Sequence, residues 1–425
     1  MRGIVKAAYA LGISAALLTP AGAHATGYAI REQSGSMLGQ AFAGANAYST
    51  DPSIIFFNPA GMSALDGTRA SAAVSYIHPK NEFENDGSTA PLGIVLGTDD
   101  GGDAGQDTLL PAFYGMTSLG AFRLGIGVNT PFGLSTSYND GWIGRYAALD
   151  SRLMTINVNP VVSYQVLDWL AIGAGVQIEN ADARLTNAGF FGLALGDGDL
   201  ELQADDDVAF GFTAGALITP WRETKIGIGF RSSVHHDLDG KAQVHVPVVG
   251  TTNMDASAEL DTPESLGLSI YQRVTDRLSL VGTVEWTNWS RFDELRVKFD
   301  TPGVPDSVTE ENWQDTYFFA VGANYQLTDN LLLRAGVAYD QTPVQDNFRT
   351  ARLPDEDRYW LALGATYAFN QNISVDLGYT HIFIRDSSID ETFHPAPTVP
   401  AATGTLHGDY ENSVDILAVQ ANFKF

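Results

Sequence analysis

Acidic side chains and histidines are the residues in this sequence that could bind a metal ion. The stretch GDGDLELQADDD (residues 196–207) holds Asp197, Asp199 and Asp205–Asp207, but it lacks the ordered ligand spacing of an EF-hand loop. The eight histidines are scattered, and the adjacent His235 and His236 fall at a strand end, where a surface role is the more ordinary one. We therefore expect no metal or other cofactor, and calcium in the acidic stretch is the open alternative.

Motifs for covalent or acid–base catalysis are also missing from the sequence. It has no Gly-x-Ser-x-Gly, no His-Glu-x-x-His and no phosphate-binding loop. An enzyme needs a set of reactive side chains that act together, and the sequence contains no motif that indicates such a set. The sequence therefore predicts a protein that is not an enzyme.

The first residues have the pattern of a secretory signal peptide. Two basic residues, an apolar run over residues 7–18 and the small-x-small site Ala23-His24-Ala25 follow one another in the expected order. The apolar run is too short for a spanning helix, which needs about 20 residues. We expect residues 1–25 to be removed, so that the mature chain begins at Thr26.

The mature chain is strongly acidic and contains no cysteine. Without the two basic leader residues, 22 basic side chains oppose 50 acidic ones, a balance that disfavours binding to nucleic acid. With no cysteine, the chain forms no disulfide. Its stability must therefore come from backbone hydrogen bonding and packing.

Alternation of apolar with polar or small residues dominates the chain from about residue 68 onward. In the segment 331–340 the apolar set occupies every second position, opposite a set that ends with Asp340. A period of two places the two sets on opposite faces of a β-strand. The apolar set of this segment comprises Leu331, Leu333, Ala335, Val337 and Tyr339.

The connections between these segments distinguish a membrane barrel from a soluble sheet protein. Very short links, such as residues 118–121 and 328–330, alternate with long polar connections, such as 79–107 and 385–411. Short turns on one side, long loops on the other and strands of about ten residues are typical of bacterial outer-membrane barrels. We predict an all-β fold, a closed antiparallel transmembrane barrel of about fourteen strands over residues 67–425.

The C-terminal residue fits the same prediction. Phe425 ends an alternating segment, as outer-membrane barrel proteins usually end on an aromatic residue that the barrel assembly machinery recognises. Aromatic residues near strand ends, such as Trp286, Tyr339 and Tyr359, match the interfacial girdles of such barrels. We expect an outer-membrane monomer in contact with membrane lipid and lipopolysaccharide.

Residues 26–66 precede the first strand and lack its periodicity. A barrel of this size is too wide for its own side chains to fill, so it conducts water or holds a plug. The apolar run Ile54–Phe57 meets Pro59, which restricts its own backbone and that of Asn58. We interpret residues 26–66 as an N-terminal hatch inside the barrel; a loose periplasmic tail is the alternative.

The mature chain resembles the FadL/TodX family of outer-membrane transporters for hydrophobic compounds. The resemblance is strongest in TGYAIREQSGSMLGQAFAGANA and DPSIIFFNPAGMS, which include the hatch signature Asn58, Pro59 and Ala60. It continues through TPFGLSTSYNDGW, TPESLGLSIYQRV and the segment 333–370. The resemblance implies passive uptake of long-chain fatty acids or similar hydrophobic molecules.

One external loop carries a candidate landing groove for such cargo. The loop at residues 186–203 and the residue before it place several large apolar side chains close together, and exposed contiguous apolar surface usually marks a binding site. A small loop helix with its own core is the alternative. The groove residues are Leu185, Phe190, Phe191, Leu193 and Leu195.

The third strand carries a candidate exit. Alternation over residues 122–128 is interrupted by Asn129, Thr130, Pro131, Phe132 and Gly133. Proline removes a donor from the strand ladder and is confined to edges and bulges. The resemblance implies an inward kink of this strand that opens the barrel wall sideways into the bilayer. The alternative structure is an ordinary β-bulge where the strand leaves the membrane.

The resemblance also implies roles for the new N-terminus and a partner acid. Thr26, Gly27 and Tyr28 match the opening residues of the family, and Asp340 stands where the family places an acid for the amine. Ligand binding would then displace Tyr28 and loosen the hatch.

The sequence leaves the charge of the cargo open. A buried carboxylate needs a partner, and the resemblance implies basic residues for this role. No matching pair is found in this sequence, and Arg184 and Arg145 are the nearest substitutes. Without a clear basic pair, an uncharged alkane or monoaromatic hydrocarbon is an alternative cargo. A general diffusion porin is the remaining alternative function.

Overall fold

The computed structural model describes residues 27–91, 94–206, 208–395 and 402–425. The predicted signal peptide and Thr26 therefore lie outside the described residues. In the described part of the chain, no helix is long and apolar enough to cross a membrane.

The described residues form one antiparallel sheet of 21 strands. In chain order the strands are β1 Arg69–Asn85, β2 Thr108–Leu119, β3 Phe122–Asn129, β4 Gly133–Ser137, β5 Asp150–Leu167, β6 Leu170–Phe190, β7 Asp197–Asp205, β8 Ala209–Trp221, β9 Thr224–Arg231, β10 Val234–Val246, β11 Gly250–Thr262, β12 Ser265–Arg273, β13 Leu278–Thr287, β14 Glu294–Phe299, β15 Ser307–Glu310, β16 Thr316–Thr328, β17 Leu331–Asp340, β18 Arg358–Ala368, β19 Ile373–Ile384, β20 Ser387–Phe393 and β21 Gly404–Lys424.

Fourteen of these strands close into a barrel. The pairing runs β1–β2–β3–β5–β6–β8–β9–β12–β13–β16–β17–β18–β19–β21 and returns from β21 to β1. Closure pairs the backbone groups that an open edge would leave unsatisfied in lipid. The predicted fourteen-stranded barrel is confirmed.

The two faces of the wall differ as the alternation predicts. On β17, Leu333 and Val337 are exposed on the outer face, whereas Arg334, Ala338 and Asp340 are buried on the inner face. Outer faces of neighbouring strands repeat this pattern with Leu361 and Leu377. The outer surface is therefore an apolar band suited to lipid.

The external connections are more regular than the sequence indicates. The stretches near 233–261 and 288–314, which read as long polar loops, contain the hairpin β10–β11 and the strand pair β14–β15. These strands extend the sheet beyond the barrel through the pairings β7–β10 and β11–β14. These strands bury few large apolar residues, so the hydrophobic alternation that marks a buried strand face is weak in them.

Residues 27–66, hereafter the hatch, lie inside the barrel. They contain the short helices α1 Gly35–Leu38 and α2 Ile54–Phe57 and a 3₁₀ helix over Pro59–Ala64. The Asn58 side chain accepts a hydrogen bond from the Ala60 amide and caps the 3₁₀ helix, while Pro59 occupies its first turn. Ile54 and Ile55 are fully buried against the inner wall and the rest of the hatch.

A belt of inward-facing glycines seats the hatch. A Cβ atom added at any of these glycines would lie less than 3 Å from a hatch atom, so only glycine allows the hatch to come this close to the strands. The belt runs over seven strands, from β6 to β19. Its members are Gly173, Gly215, Gly227, Gly229, Gly267, Gly336, Gly364 and Gly378.

Candidate functional site

A cavity lies between the hatch and the inner wall. Its volume is about 70 Å³, far below the ~300–1,000 Å³ typical of ligand pockets. The lining is mainly apolar and aromatic, with two arginines and two acids. It includes Ile30, Phe56, Phe57, Pro131, Phe132, Trp289, Phe318 and Trp360, with Arg31, Arg231, Glu285 and Asp340. A long alkyl chain can enter only if part of the lining moves.

Arg231, at the end of β9, is the pocket cation with unused hydrogen-bonding capacity. It is 8% exposed, its guanidinium stacks on Phe56 at 4.5 Å, and its Nη1 atom donates to Gln177. Within the described part of the chain its buried Nη2 group donates no hydrogen bond. A buried donor without a partner is costly, so this group favours an incoming acceptor.

The second arginine of the cavity is already neutralised. Arg31 of the hatch donates to Glu285 at 2.7 Å and stacks over Phe318 at 4.0 Å. Asp340 faces the same cavity from the end of β17, as the alternation predicts for an inward side chain. Arg31 therefore joins the hatch to the wall and leaves Arg231 as the better receptor for an anion.

The barrel wall is interrupted beside this cavity. β3 ends at Asn129 and β4 begins at Gly133, so residues 130–132 stand opposite only two residues of β5. The β2–β3 ladder ends at the Phe113–Val128 pair, whereas β2 continues to pair with β1 as far as Thr108. The wall between the second and third barrel strands is thus incompletely paired at residues 108–112.

A short part of the hatch covers this interruption from inside. Ile30 N donates to Pro131 O at 2.7 Å, and Gly133 N donates to Tyr28 O at 2.8 Å. Gln33 adds a 2.6 Å bond from its side chain to Thr130 O. Residues 28–30, hereafter the latch, therefore satisfy backbone groups that β2 does not reach.

Aromatic rings surround Tyr28 at the start of the latch. Its ring lies 4.7 Å from Trp289, 5.5 Å from Trp313 and 5.9 Å from Phe132. The contacts with Trp289 and Phe132 are edge-to-face, and contacts of this kind add to the stabilisation from burial. Tyr28 thus packs against two aromatic residues that line the cavity, Phe132 and Trp289.

Gly27, the first described residue of the chain, lies beside the carboxylate of Asp355. The Gly27 amide donates to Asp355 Oδ2 at 3.1 Å, and Arg358 and Thr342 also bind this carboxylate. Asp340 lines the cavity instead. The predicted pairing of Asp340 with the amine of Thr26 remains a prediction, since Thr26 lies outside the described residues.

The two arginines that the sequence suggested for the cargo carboxylate have protein partners. Arg145 binds Asp197 at 2.9 Å, and Arg184 binds Glu201 at 2.9 Å and Asp150 at 3.4 Å. Arg184 lies on the outer face of β6, away from the lumen, because side chains alternate along the strand. Neither residue lines the cavity.

The residues of the predicted landing groove differ in their exposure to solvent. Leu193, at the tip of the loop, is 87% exposed, whereas Leu185, Phe190, Phe191 and Leu195 are half-buried. Phe190 packs against a core of external loops that includes Trp142, Tyr146 and Phe393. Only part of the proposed apolar surface is therefore open to an arriving molecule.

The acidic stretch serves local structure. Asp197 pairs with Arg145, and Asp206 accepts from the Ala181 amide at 2.7 Å and faces His236 at 2.5 Å. Among the described residues no group of three or more His, Asp or Glu side chains is placed to hold a metal ion. Asp207 lies outside the described residues.

Sequence reasoning missed Arg231, Trp289, Trp313, Asp355 and Glu311. Alternation over residues 225–231 could have placed Arg231 in the lumen, because Ile226 and Ile228 occupy the opposite face. The other four residues lie outside the alternating strands. No local sequence pattern indicates their positions, because only the tertiary fold brings them near the site.

Glu311 supports the aromatic end of the pocket from an external loop. Trp313 Nε1 donates to Glu311 Oε2 at 2.9 Å. Burial, together with the nearby charge of Glu391, raises the pKa of Glu311 to about 8. The carboxyl group is therefore mostly neutral near pH 7.

A closed, plugged barrel with an apolar outer band and an interrupted wall belongs to the class of outer-membrane transport barrels. The family model described as outer membrane protein transport protein (OMPP1/FadL/TodX) matches residues 16–425. The chain belongs to this family, which confirms the predicted family and outer-membrane location. It is a family of transport proteins.

Relatives and solved structures agree with this assignment. The chain is 30% identical to the putative outer membrane protein NMB0088 of Neisseria meningitidis serogroup B, over 95% of this chain and 96% of that one. It is 28% identical to the long-chain fatty acid transport protein of Salmonella typhi, over 90% and 93% of the two chains. The crystal structure of a Pseudomonas aeruginosa FadL homologue superposes with a TM-score of 0.84 at 26% identity, covering 94% of this chain and 99% of that chain.

Proposed function

We propose that this protein takes up long-chain fatty acids passively across the outer membrane. The observation that carries the proposal is Arg231, a buried guanidinium that lines an apolar and aromatic cavity and whose Nη2 group donates to none of the described residues. This combination matches an amphipathic monocarboxylate, whose chain needs apolar contact and whose head needs a charged partner. The fatty acid transport protein of Salmonella typhi among the relatives supports the same cargo.

We further propose that cargo leaves sideways through the interrupted wall. The route would begin at the external loops, pass the pocket and end between the second and third barrel strands. The latch blocks both the cavity and the interruption, so its displacement would enlarge the first and uncover the second. The glycine belt supports this route, because it holds the body of the hatch against the wall and disfavours expulsion of the whole plug.

Binding of oleate to purified wild-type protein and to Arg231→Met tests the cargo proposal. Loss of a hydrogen bond to a charged group is worth about 1.5–3 kcal/mol, so we expect affinity to fall by about 10–100-fold. Lys225→Met is the matched control, because Lys225 is a largely buried lumen cation that stacks on Tyr48 and Tyr271 away from the cavity. Equal oleate affinity in Arg231→Met and wild type would contradict the proposal.

Uptake of an uncharged hydrocarbon remains the second candidate, favoured by the aromatic lining around Tyr28. Toluene uptake by cells that express Arg231→Met discriminates the two cargoes. A fatty acid transporter should bind toluene weakly or not at all, whereas a hydrocarbon transporter should take up toluene at the wild-type rate in this variant.

A further inference from the structure

Behind Arg231 lies a fully buried cluster of charged side chains that the transport route does not use. Glu179 on β6, His236 on β10 and Asp206 before β8 are all at least nine-tenths buried. His236 Nε2 lies 3.2 Å from Glu179 Oε1, and its Nδ1 lies 2.5 Å from Asp206 Oδ2. With a carboxylate at each ring nitrogen, His236 is arranged as an imidazolium that donates to both.

The cluster and Arg231 together are electrically balanced. Two carboxylates, Glu179 and Asp206, oppose the imidazolium of His236 and the guanidinium of Arg231. Gln177, two residues before Glu179 on the same inward face, accepts a hydrogen bond from Arg231 and ties the cluster to the pocket.

The other ionisable groups near Arg231 add no positive charge to this balance. Tyr114 of β2 contributes no charge in its neutral form, and Glu285 of β13 is paired with Arg31 of the hatch at 2.7 Å. Asp340 of β17, which lines the same cavity, is a further acid. An additional carboxylate would therefore leave a net negative charge in a buried site. Such a charge is costly, and proteins commonly avoid it by taking up a proton.

Two buried polar atoms of this region have unused hydrogen-bonding capacity. In the described part of the chain, Arg231 Nη2 has no hydrogen-bond acceptor, and the buried Glu179 Oε2 has no hydrogen-bond donor. A carboxylic acid group has one acceptor oxygen and one O–H donor, which is the complement of this pair. A carboxylate alone can satisfy Arg231 but repels Glu179.

We propose that the pocket binds the cargo carboxylate together with one proton, shared between the cargo and Glu179. The head group leaves water as a carboxylate, and one proton from solvent joins it in the pocket. One cargo oxygen accepts from Arg231 Nη2, and the proton bridges the other cargo oxygen and Glu179 Oε2. The cluster then gains no net charge. This inference rests on the proposed fatty acid cargo.

Calorimetry in buffers of different ionisation enthalpy measures the proton directly. Dodecanoate is titrated into the full-length mature protein in detergent near pH 7.5, where the free ligand is ionised. We expect uptake of about one proton per dodecanoate bound, and an affinity that falls about tenfold per pH unit above neutrality. Dodecanol, which has no charge, should bind without proton uptake.

The variant Glu179→Gln tests whether Glu179 is the group that shares the proton. Removing one carboxylate lets the ionised head group bind without a proton, so uptake should fall to about zero and the pH dependence should flatten. Unchanged proton uptake in this variant would overturn the role of Glu179.

The outcomes separate the two proposals. Dodecanoate binding without proton uptake by the wild type overturns this inference and leaves the fatty acid proposal standing. Absence of dodecanoate binding overturns the fatty acid proposal itself. The wild-type measurements with dodecanoate and dodecanol decide the matter even if Glu179→Gln fails to fold.

Discussion

At the scale of single residues, the pocket combines one ion-paired cation with one that has a spare donor. Arg31 pairs with Glu285 and stacks on Phe318, whereas the buried Nη2 group of Arg231 has no acceptor among the described residues. Burying a polar group without a partner costs free energy, so such groups are rare unless they serve a ligand or a solvent molecule. For the proposed fatty acid cargo, the contrast favours Arg231 over Arg31 as the residue that binds the head group.

Glu311 makes the closed latch sensitive to pH. Its pKa of about 8 lies above its ordinary value of 4.5, so the packed state is most stable at low pH and loses stability as the pH rises toward 8. Ionisation would place a buried negative charge beside Trp313, which contacts Tyr28. We expect trypsin to cleave after Arg31 several-fold faster at pH 9 than at pH 7.

The variant Glu311→Gln separates this effect from the pH dependence of trypsin. The amide side chain of this variant cannot ionise, so its cleavage relative to that of the wild type should become slower as the pH rises. Parallel pH profiles for the two proteins would show that another group controls the latch.

At the scale of secondary-structure elements, the latch acts as a short extra strand on the broken third strand. Ala29 and Phe132 form an antiparallel pair flanked by the bonds Ile30 N to Pro131 O and Gly133 N to Tyr28 O. Such a pair lies between hydrogen-bonded positions, with Cα atoms about 4.5 Å apart, a separation that accommodates a disulfide.

A disulfide between Ala29→Cys and Phe132→Cys should therefore lock the latch. The chain has no cysteine of its own, so the introduced pair is unambiguous. We expect oleate uptake by cells to fall at least tenfold in the oxidised double variant and to return on reduction. Each single variant controls for the lost side chain, and wild-type uptake in the oxidised protein would rule out latch movement.

The glycine belt makes a second prediction at this scale. A Cβ at Gly227 would collide with the backbone of Asn46, and overpacking of this kind costs about 1–3 kcal/mol. Gly227→Ala should speed hydrogen exchange of hatch amides while the barrel strands stay protected. Gly115→Ala is the control, because a Cβ there faces lipid and meets only Ile126 at 3.9 Å.

At the scale of the whole molecule, the hatch makes the barrel a poor conductor of ions. The lumen contains a folded segment seated on glycines from seven strands, and the cavity beside it is about 70 Å³. In planar bilayers we expect wild-type protein to show little or no steady conductance. A stable open channel with the conductance of a general porin would contradict the transport proposal.

The fold was largely predictable from the sequence. Strands such as 331–340 and 373–384 can be recognised in the sequence because lipid outside and a polar lumen inside impose a strict two-residue period. The Ile54–Phe57 run and Pro59 indicated a compact segment before the first strand, and they fall in α2 and the following 3₁₀ helix.

The candidate site was less predictable. Arg184 and Arg145 were named as substitutes for basic residues that had no match in the sequence, but each pairs with acids that are distant in sequence, and neither lines the cavity. Asp355, Trp289 and Trp313 converge on Gly27 and Tyr28 from separate loops. Contacts between residues hundreds of positions apart leave no local pattern.

The sequence by itself determined the compartment, the class of fold and the inward and outward faces of barrel-wall strands such as 331–340, because those follow from local periodicity and from the two solvents that the wall meets. Only the tertiary structure decided which lumen charges are neutralised and which remain available. Pairing of β6, β8 and β9, with β10 and the hatch packed beside them, sets the contacts of Arg231, Glu179 and Arg31, and these contacts depend on that three-dimensional arrangement.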